Sequence, residues 1–280
     1  MFAVPDAIAY DLWMDLPEEI KSYYGQGGEL ERLERGTGLL EAERTKELIA
    51  RLLPERATVL DVGGGPGYYA QWLAGCGHTV HLIDPVPLHV ETARHRAGDS
   101  PCFTVELGDA RELRFADGEW DAVLLLGPLY HLPDRADRLA AWNEARRVCR
   151  PGGWILAAAI SRFAPALNGI RVGWIADEAL FETVRMQLER GWWHGGDHPG
   201  FPSAFFHDSD ELVEEAETAD LTVQAVYGIE GPGWLVGDFD EKWADPVMRE
   251  RLLWLARTTE QDPRMRAVSD HLLLAAKKPI

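Results

Sequence analysis

Cysteine is scarce, long apolar runs are missing and basic charge is in deficit, and each shortage narrows what the chain can be. The three cysteines, Cys76, Cys102 and Cys149, are odd in number and far apart. No Cys-x-x-Cys pair or disulfide framework can be drawn from them, which points to a reducing compartment. No apolar run approaches the ~20 residues that span a bilayer. The opening residues, Met1 to Asp6, lack the basic stretch and following apolar stretch of a secretory leader. The expected setting is the cytoplasm, with no membrane partner. Lys and Arg number 28 against 46 Asp and Glu, a net charge of −18. That balance argues against a nucleic-acid partner, because phosphate binding needs a basic face that releases counterions. It favours cationic ligands and keeps the protein in solution.

What is present is an ordinary globular composition, 46% hydrophobic and 26% charged over 280 residues, without internal repeats or low-complexity tracts. Residues 1–36 read as a polar, glycine-broken extension with short helical stretches around Asp6–Trp13 and Glu29–Arg35. From Thr37 to Leu53 apolar residues recur at helical spacing, and Pro54 stops the run. A different rhythm follows. Short apolar strands at residues 58–62, 78–83, 103–107, 121–126 and 154–160 alternate with helices at 66–73, 87–96 and from Asp134 to Val148. Such alternation predicts an α/β, doubly wound, mostly parallel sheet covered on both faces. After Ile160 come helical stretches at 170–176 and 178–190, then a loop from Gly191 to His207 dense in Gly, Trp, Phe and His. Asp208 and Glu211 then form a capping box. A sixth strand at 221–227 and a final one at 271–275 complete seven. The reading is one domain over 37–280, with insertions at about 161–210 and 228–268.

The sharpest motif is Asp61-Val62-Gly63-Gly64-Gly65-Pro66-Gly67, at a strand-to-helix turn. Glycines there permit positive φ and let the backbone approach a ligand, while the helix start offers unpaired N–H donors. Gly65-x-Gly67-x-x-Ala70 fits a dinucleotide loop, and Asp84 ends the second strand where a carboxylate can meet ribose hydroxyls. By themselves these residues indicate an adenosine-containing cofactor, whether NAD or another.

Other motifs separate the candidates. Asp61, Gly63, Gly65 and Gly67 are followed by Leu82-Ile83-Asp84, Gly108-Asp109-Ala110, Trp120-Asp121-Ala122-Val123 and Arg150-Pro151-Gly152-Gly153. In this order the chain resembles the class I S-adenosylmethionine (SAM) dependent methyltransferases from about Thr37 to Ser161, with the closing strand pair at the C-terminus. The resemblance implies a Rossmann-like seven-stranded fold, SAM as cofactor, and methyl transfer to a small-molecule acceptor, aromatic or amphipathic. It further implies Asp61 and the Gly63, Gly65 and Gly67 loop beside the methionyl part, and Asp84 on the ribose. Asp109 and Ala110 would meet the adenine, and Leu126 and Gly127 would line the sulfonium region.

Ligands of open α/β sheets bind beyond the carboxyl ends of the strands, where the fourth strand delivers Gly127-Pro128-Leu129-Tyr130-His131. An acceptor hydroxyl or ammonium must lose a proton, so His131 is the candidate base, with Tyr130 as a positioning or proton-sharing group. Arg162, just past the fifth strand, either holds an acidic substrate group or neutralises a carboxylate. Both insertions leave at this edge, and their aromatic residues are expected to roof the pocket. His194 and His198 flank glycines without a third ligand at metal spacing, so no metal is expected. The acidic run at Glu211, Glu214, Glu215 and Glu217 reads as a solvated helix face. Two rivals remain, a SAM-binding protein that transfers no methyl group and an NAD-dependent oxidoreductase.

Overall fold

Apolar runs punctuated by glycine and proline fold here as strands, in a computed structural model that describes residues 18–25, 27, 30–193 and 202–280. The parallel part of the sheet is β1 (Thr58–Val62), β2 (Thr79–Asp84), β3 (Phe103–Leu107), β4 (Trp120–Leu125) and β5 (Cys149–Ile160). Two C-terminal strands, β8 (Thr222–Gly228) and β9 (His271–Lys277), complete it in the order β3-β2-β1-β4-β5-β9-β8. β9 runs antiparallel to both β5 and β8, and all other pairs are parallel. The strand order reverses between β1 and β4, and the crevice at that switch point is where such sheets bind ligands.

Helices cover both faces. Helix α2 (Gly38–Leu52) and α3 (Tyr68–Gly75) press Leu48, Ile49 and Leu73 onto Val59, Leu82 and Leu124. On the other face α5 (Arg135–Val148) and α8 (Ser209–Thr218) bring Trp142, Val148 and Leu212 onto Leu60, Val123 and Leu274. Helix α4 (Pro87–Ala97) follows β2. The capping box at α8 forms as the sequence implies, with the Asp208 side chain accepting from the Asp210 N–H and Glu211 accepting from the Asp208 N–H.

Three regions differ from expectation. A helix that the sequence reading omits, α1 (Glu18–Gly25), precedes the short turn Arg32–Glu34, while the stretch 6–13 lies outside the described residues. In the first insertion the helix read at 178–190 forms as α7 (Glu178–Arg190), whereas the stretch read at 170–176 is replaced by α6 (Ala164–Val172) and a short turn, and a small hairpin of β6 (Trp192–Trp193) with β7 (Ala204–Phe205) is added. The His194 to His198 motif lies outside the described residues. The second insertion forms α9 (Phe239–Ala244) and α10 (Pro246–Thr259). It folds onto α2, where Leu40 joins Phe239, Trp243, Leu252 and Leu253 in one apolar cluster. No helix of the described residues is long and apolar enough to cross a membrane.

Candidate active site

The carboxyl edge of β1, β2 and β4 surrounds a cavity of about 360 Å³. Asp61, next to last in β1, is 1% exposed, with neither carboxylate oxygen hydrogen-bonded among the described residues. Burial pushes its carboxyl up to about 7, and the nearby Asp84 charge adds to the rise. The chain then turns at Gly63, whose φ of +67° and 2.7 Å gap from an added Cβ to Pro128 Cγ admit only glycine. At Gly64 a Cβ would stand 2.5 Å from Asp61 Oδ2.

Asp84 ends β2 and is already engaged. Its carboxylate accepts from the N–H groups of Gly65 (2.8 Å) and Val86 (2.9 Å), and lies 3.1 Å from His89 Nδ1. A carboxylate has about four acceptor positions, so Asp84 keeps room for one ligand hydroxyl. Asp109 is similarly paired, accepting from Arg111 N–H at 2.8 Å and from the Arg111 guanidinium at 2.7 Å. Arg111 reaches on to Asp137 at 3.1 Å.

The roof comes from the N-terminal region. Tyr24 of α1 packs edge-on against His89 and His131, and its Oη hydrogen-bonds His131 Nε2. Burial holds His131 down to about 3, against the opposing pull of Asp84. Arg32 enters the wall as a fork on buried Glu41. Burial would raise Glu41, but the Arg32 charge holds its carboxyl below the usual range. Behind it His271 Nδ1 meets Glu230 at 2.7 Å and Glu41 at 3.7 Å. Burial alone would lower His271, yet the carboxylates of Glu41, Glu230 and Asp270 lift it to about 10. The three side chains Glu41, Glu230 and His271 have the spacing of a metal set, but Arg32 and the charged imidazole already balance the two glutamates.

Residues 59–153 match the family described as a methyltransferase domain. A ubiquinone biosynthesis O-methyltransferase of Thiobacillus denitrificans is 37% identical over 169 residues, 60% of this chain and 62% of that one. Residues 59–153 thus carry a methyltransferase domain. Solved structures extend the likeness of fold. One is the 1,6-didemethyltoxoflavin-N1-methyltransferase of Burkholderia thailandensis, with TM-score 0.58, 16% identity, and coverage of 100% of this chain and 93% of that one. Another is the [4+2]-cyclase SpnF, with TM-score 0.56, 17% identity, and coverage of 85% and 82%.

The methyltransferase domain fits its cofactor on its own chemistry. A buried carboxylate without partners calls for a cation, and SAM brings an ammonium and a sulfonium. The structure brings Asp61, Gly63, Gly65, Asp84, Asp109, Ala110, Leu126, Gly127, Tyr130 and His131 together in the wall. Two residues of the sequence reading stand elsewhere. Gly67, at φ +85°, starts α3 against Phe103 and Ala93. Arg162 is paired with Glu211 and donates from Nε to the Phe206 carbonyl at 3.2 Å, outside the wall. Of the acidic run read as a solvated face, Glu215 is instead buried at 2% exposure. Among the described residues neither insertion lines the cavity. The first instead packs Trp193 and Phe206 behind Tyr130.

Sequence reasoning missed Tyr24, Arg32, His89 and Arg111. Arg111 had a signal, standing two residues after Asp109, and His89 lies in the first turns of α4 after Asp84. Tyr24 and Arg32 had none, since only the fold brings the N-terminal region over the sheet. A second cleft, about 440 Å³, lies between the ends of α2 and α3 beside Trp72 and His78, remote from the glycine loop.

Proposed function

We propose that the cavity binds SAM and that the protein transfers its methyl group to a small-molecule acceptor, aromatic or amphipathic, in the reducing cytoplasm that three unpaired cysteines suit. The observation that carries this reading is Asp61, a buried carboxylate left without partners beside a glycine loop. Bound SAM supplies a methyl group made electrophilic by its sulfonium. Asp61 would face the ammonium of the methionyl end, and Arg32, held rigid by Glu41, its carboxylate. Asp84 would take the ribose, assisted by His89 from the same wall. Asp109, fixed by Arg111, and Ala110 would take the adenine, leaving Leu126 and Gly127 beside the reacting centre.

Methyl transfer is an in-line displacement, so the main demands on the protein are alignment and the exclusion of water. Tyr24 and His131 meet both by closing the roof with one hydrogen bond. His131 is the base of the site, its Nε2 engaged by Tyr24 Oη, and Tyr130 fixes the ring edge-on at 4.6 Å between centroids. Its depressed pKa makes it a weak base. Alignment therefore carries more of the rate than proton abstraction, and acceptors that are already nucleophilic are favoured.

A panel of phenols and amines incubated with SAM tests this, with S-adenosylhomocysteine (SAH) formation as the readout. Acceptor-dependent SAH is the expected result. The weak base favours one second reading, in which the bound cation assists a reaction without methyl loss. SAM binding with no SAH from any acceptor, alongside conversion of a substrate, supports that alternative.

A further inference from the structure

Between β4 and α5 the chain supplies one wall of the cavity through Pro128, Tyr130, His131, Leu132 and Pro133. This stretch holds itself poorly. Pro128 and Pro133 have no backbone N–H, and the bond that closes the turn, from Leu132 N–H to the Leu129 carbonyl, is long at 3.4 Å. A side chain from the following helix holds it instead. Arg138 is 2% exposed and donates from Nη1 to the carbonyls of Leu132 at 2.9 Å and Pro133 at 2.7 Å.

Arg138 is itself gripped from the far side. Its Nε donates to Glu215 Oε1 of α8 at 2.8 Å, and the Phe205 ring centroid lies 3.7 Å from its guanidinium carbon. His207, fully buried, places Nε2 3.3 Å from the second Glu215 oxygen. Phe205 and His207 belong to the return of the first insertion. One planar guanidinium thus joins the insertion, α8 and the cavity turn, a geometry that a lysine ammonium on a single point cannot reproduce.

We propose that Arg138 is a positioning residue that transmits the packing of the first insertion to the Leu132–Pro133 backbone and so sets where His131 stands against Tyr24. The proposal rests on reading this cavity as the methyl-transfer site. It gives the insertion a function although none of its described residues lines the wall: it is a buttress, and changes at Phe205 or His207 shift His131 without touching a ligand. Buried Arg–Glu pairs are often replaced by apolar residues at little cost to stability.

The test follows the His131 imidazole by NMR, assigned through His131→Asn, in three proteins: wild type, Arg138→Lys, and the double variant Arg138→Met with Glu215→Leu. In the wild type His131 remains neutral to the acid limit of the fold. In the double variant, with its circular-dichroism melt retained, the midpoint rises toward the ordinary ~6.5, and Arg138→Lys falls between. A folded double variant whose His131 is still neutral at pH 5 overturns the proposal. If the double variant does not fold, Arg138→Lys decides by the same criterion. SAH titration of the wild type runs in parallel. Absence of binding there defeats the cofactor reading while leaving the His131 comparison intact.

Discussion

Cofactor binding should be linked to one proton, through Asp61. Burial and the Asp84 charge raise this carboxyl from 3.8 to about 7, roughly 3 pH units, or about 4 kcal/mol against the charged form. In the free protein near pH 7 the group is half protonated. A ligand ammonium beside it favours the carboxylate, so binding expels about half a proton at pH 7 and nearly a whole one at pH 6. The sign is definite. Above pH 7 affinity is level, and below it SAH affinity falls by close to tenfold per pH unit. Stability of the free protein runs the opposite way. A carboxyl with a raised folded pKa costs nothing while protonated, so that stability declines as pH climbs from 3.8 to about 7. Asp61→Asn removes the charge, so the free variant melts several degrees higher at pH 8 while binding SAH more weakly and without proton release. Calorimetric titration with SAH in phosphate and in imidazole, at pH 6 and 7, counts the protons. Equal heats in the two buffers after correction for ligand alone, with affinity level from pH 5.5 to 7.5, would refute the reasoning.

Three further outcomes follow from the same geometry. Gly63→Ala puts a Cβ 2.7 Å from Pro128 Cγ at positive φ, and should cost roughly 2 kcal/mol in chemical denaturation and about tenfold in SAH affinity; wild-type values for both contradict it. Tyr24→Phe removes the hydrogen bond to His131, worth about 1 kcal/mol, so SAH should leave roughly fivefold faster in stopped-flow fluorescence, and an unchanged rate defeats the roof assignment. His271, lifted to about 10 by its carboxylates, adds stability that is complete below its unfolded pKa of ~6.5 and is lost as pH rises to 10. Denaturation between pH 7 and 10 should show that loss in the wild type and not in His271→Asn.

What the sequence displays is what local physics controls. The strands announce themselves because parallel strands buried on both faces must be mostly apolar, as Val123 to Leu125 are throughout and as Val59 to Val62 are apart from Asp61. The glycine loop is visible because positive φ at Gly63 and the gap at Gly64 leave few alternatives to glycine. Contacts made across the chain leave no such trace. Tyr24 meets His131 across 107 residues, and Arg138 meets Glu215 across 77. From sequence Glu215 is one of four glutamates on a helix and looks solvated, yet it is buried under the insertion. The aromatic insertions resemble lids in composition, but among the described residues Trp193 and Phe206 pack behind Tyr130, and Phe239 and Trp243 pack with Leu40 of α2. The short polar helix α1 became the roof instead.

The central claim, that the glycine-loop cavity beside Asp61 holds SAM, is tested most directly by calorimetric titration of the purified protein with SAH and NADH at pH 7.5. The account predicts saturable one-to-one binding of SAH that Asp84→Ala weakens, and no binding of NADH. Saturable NADH binding with no SAH binding would contradict it.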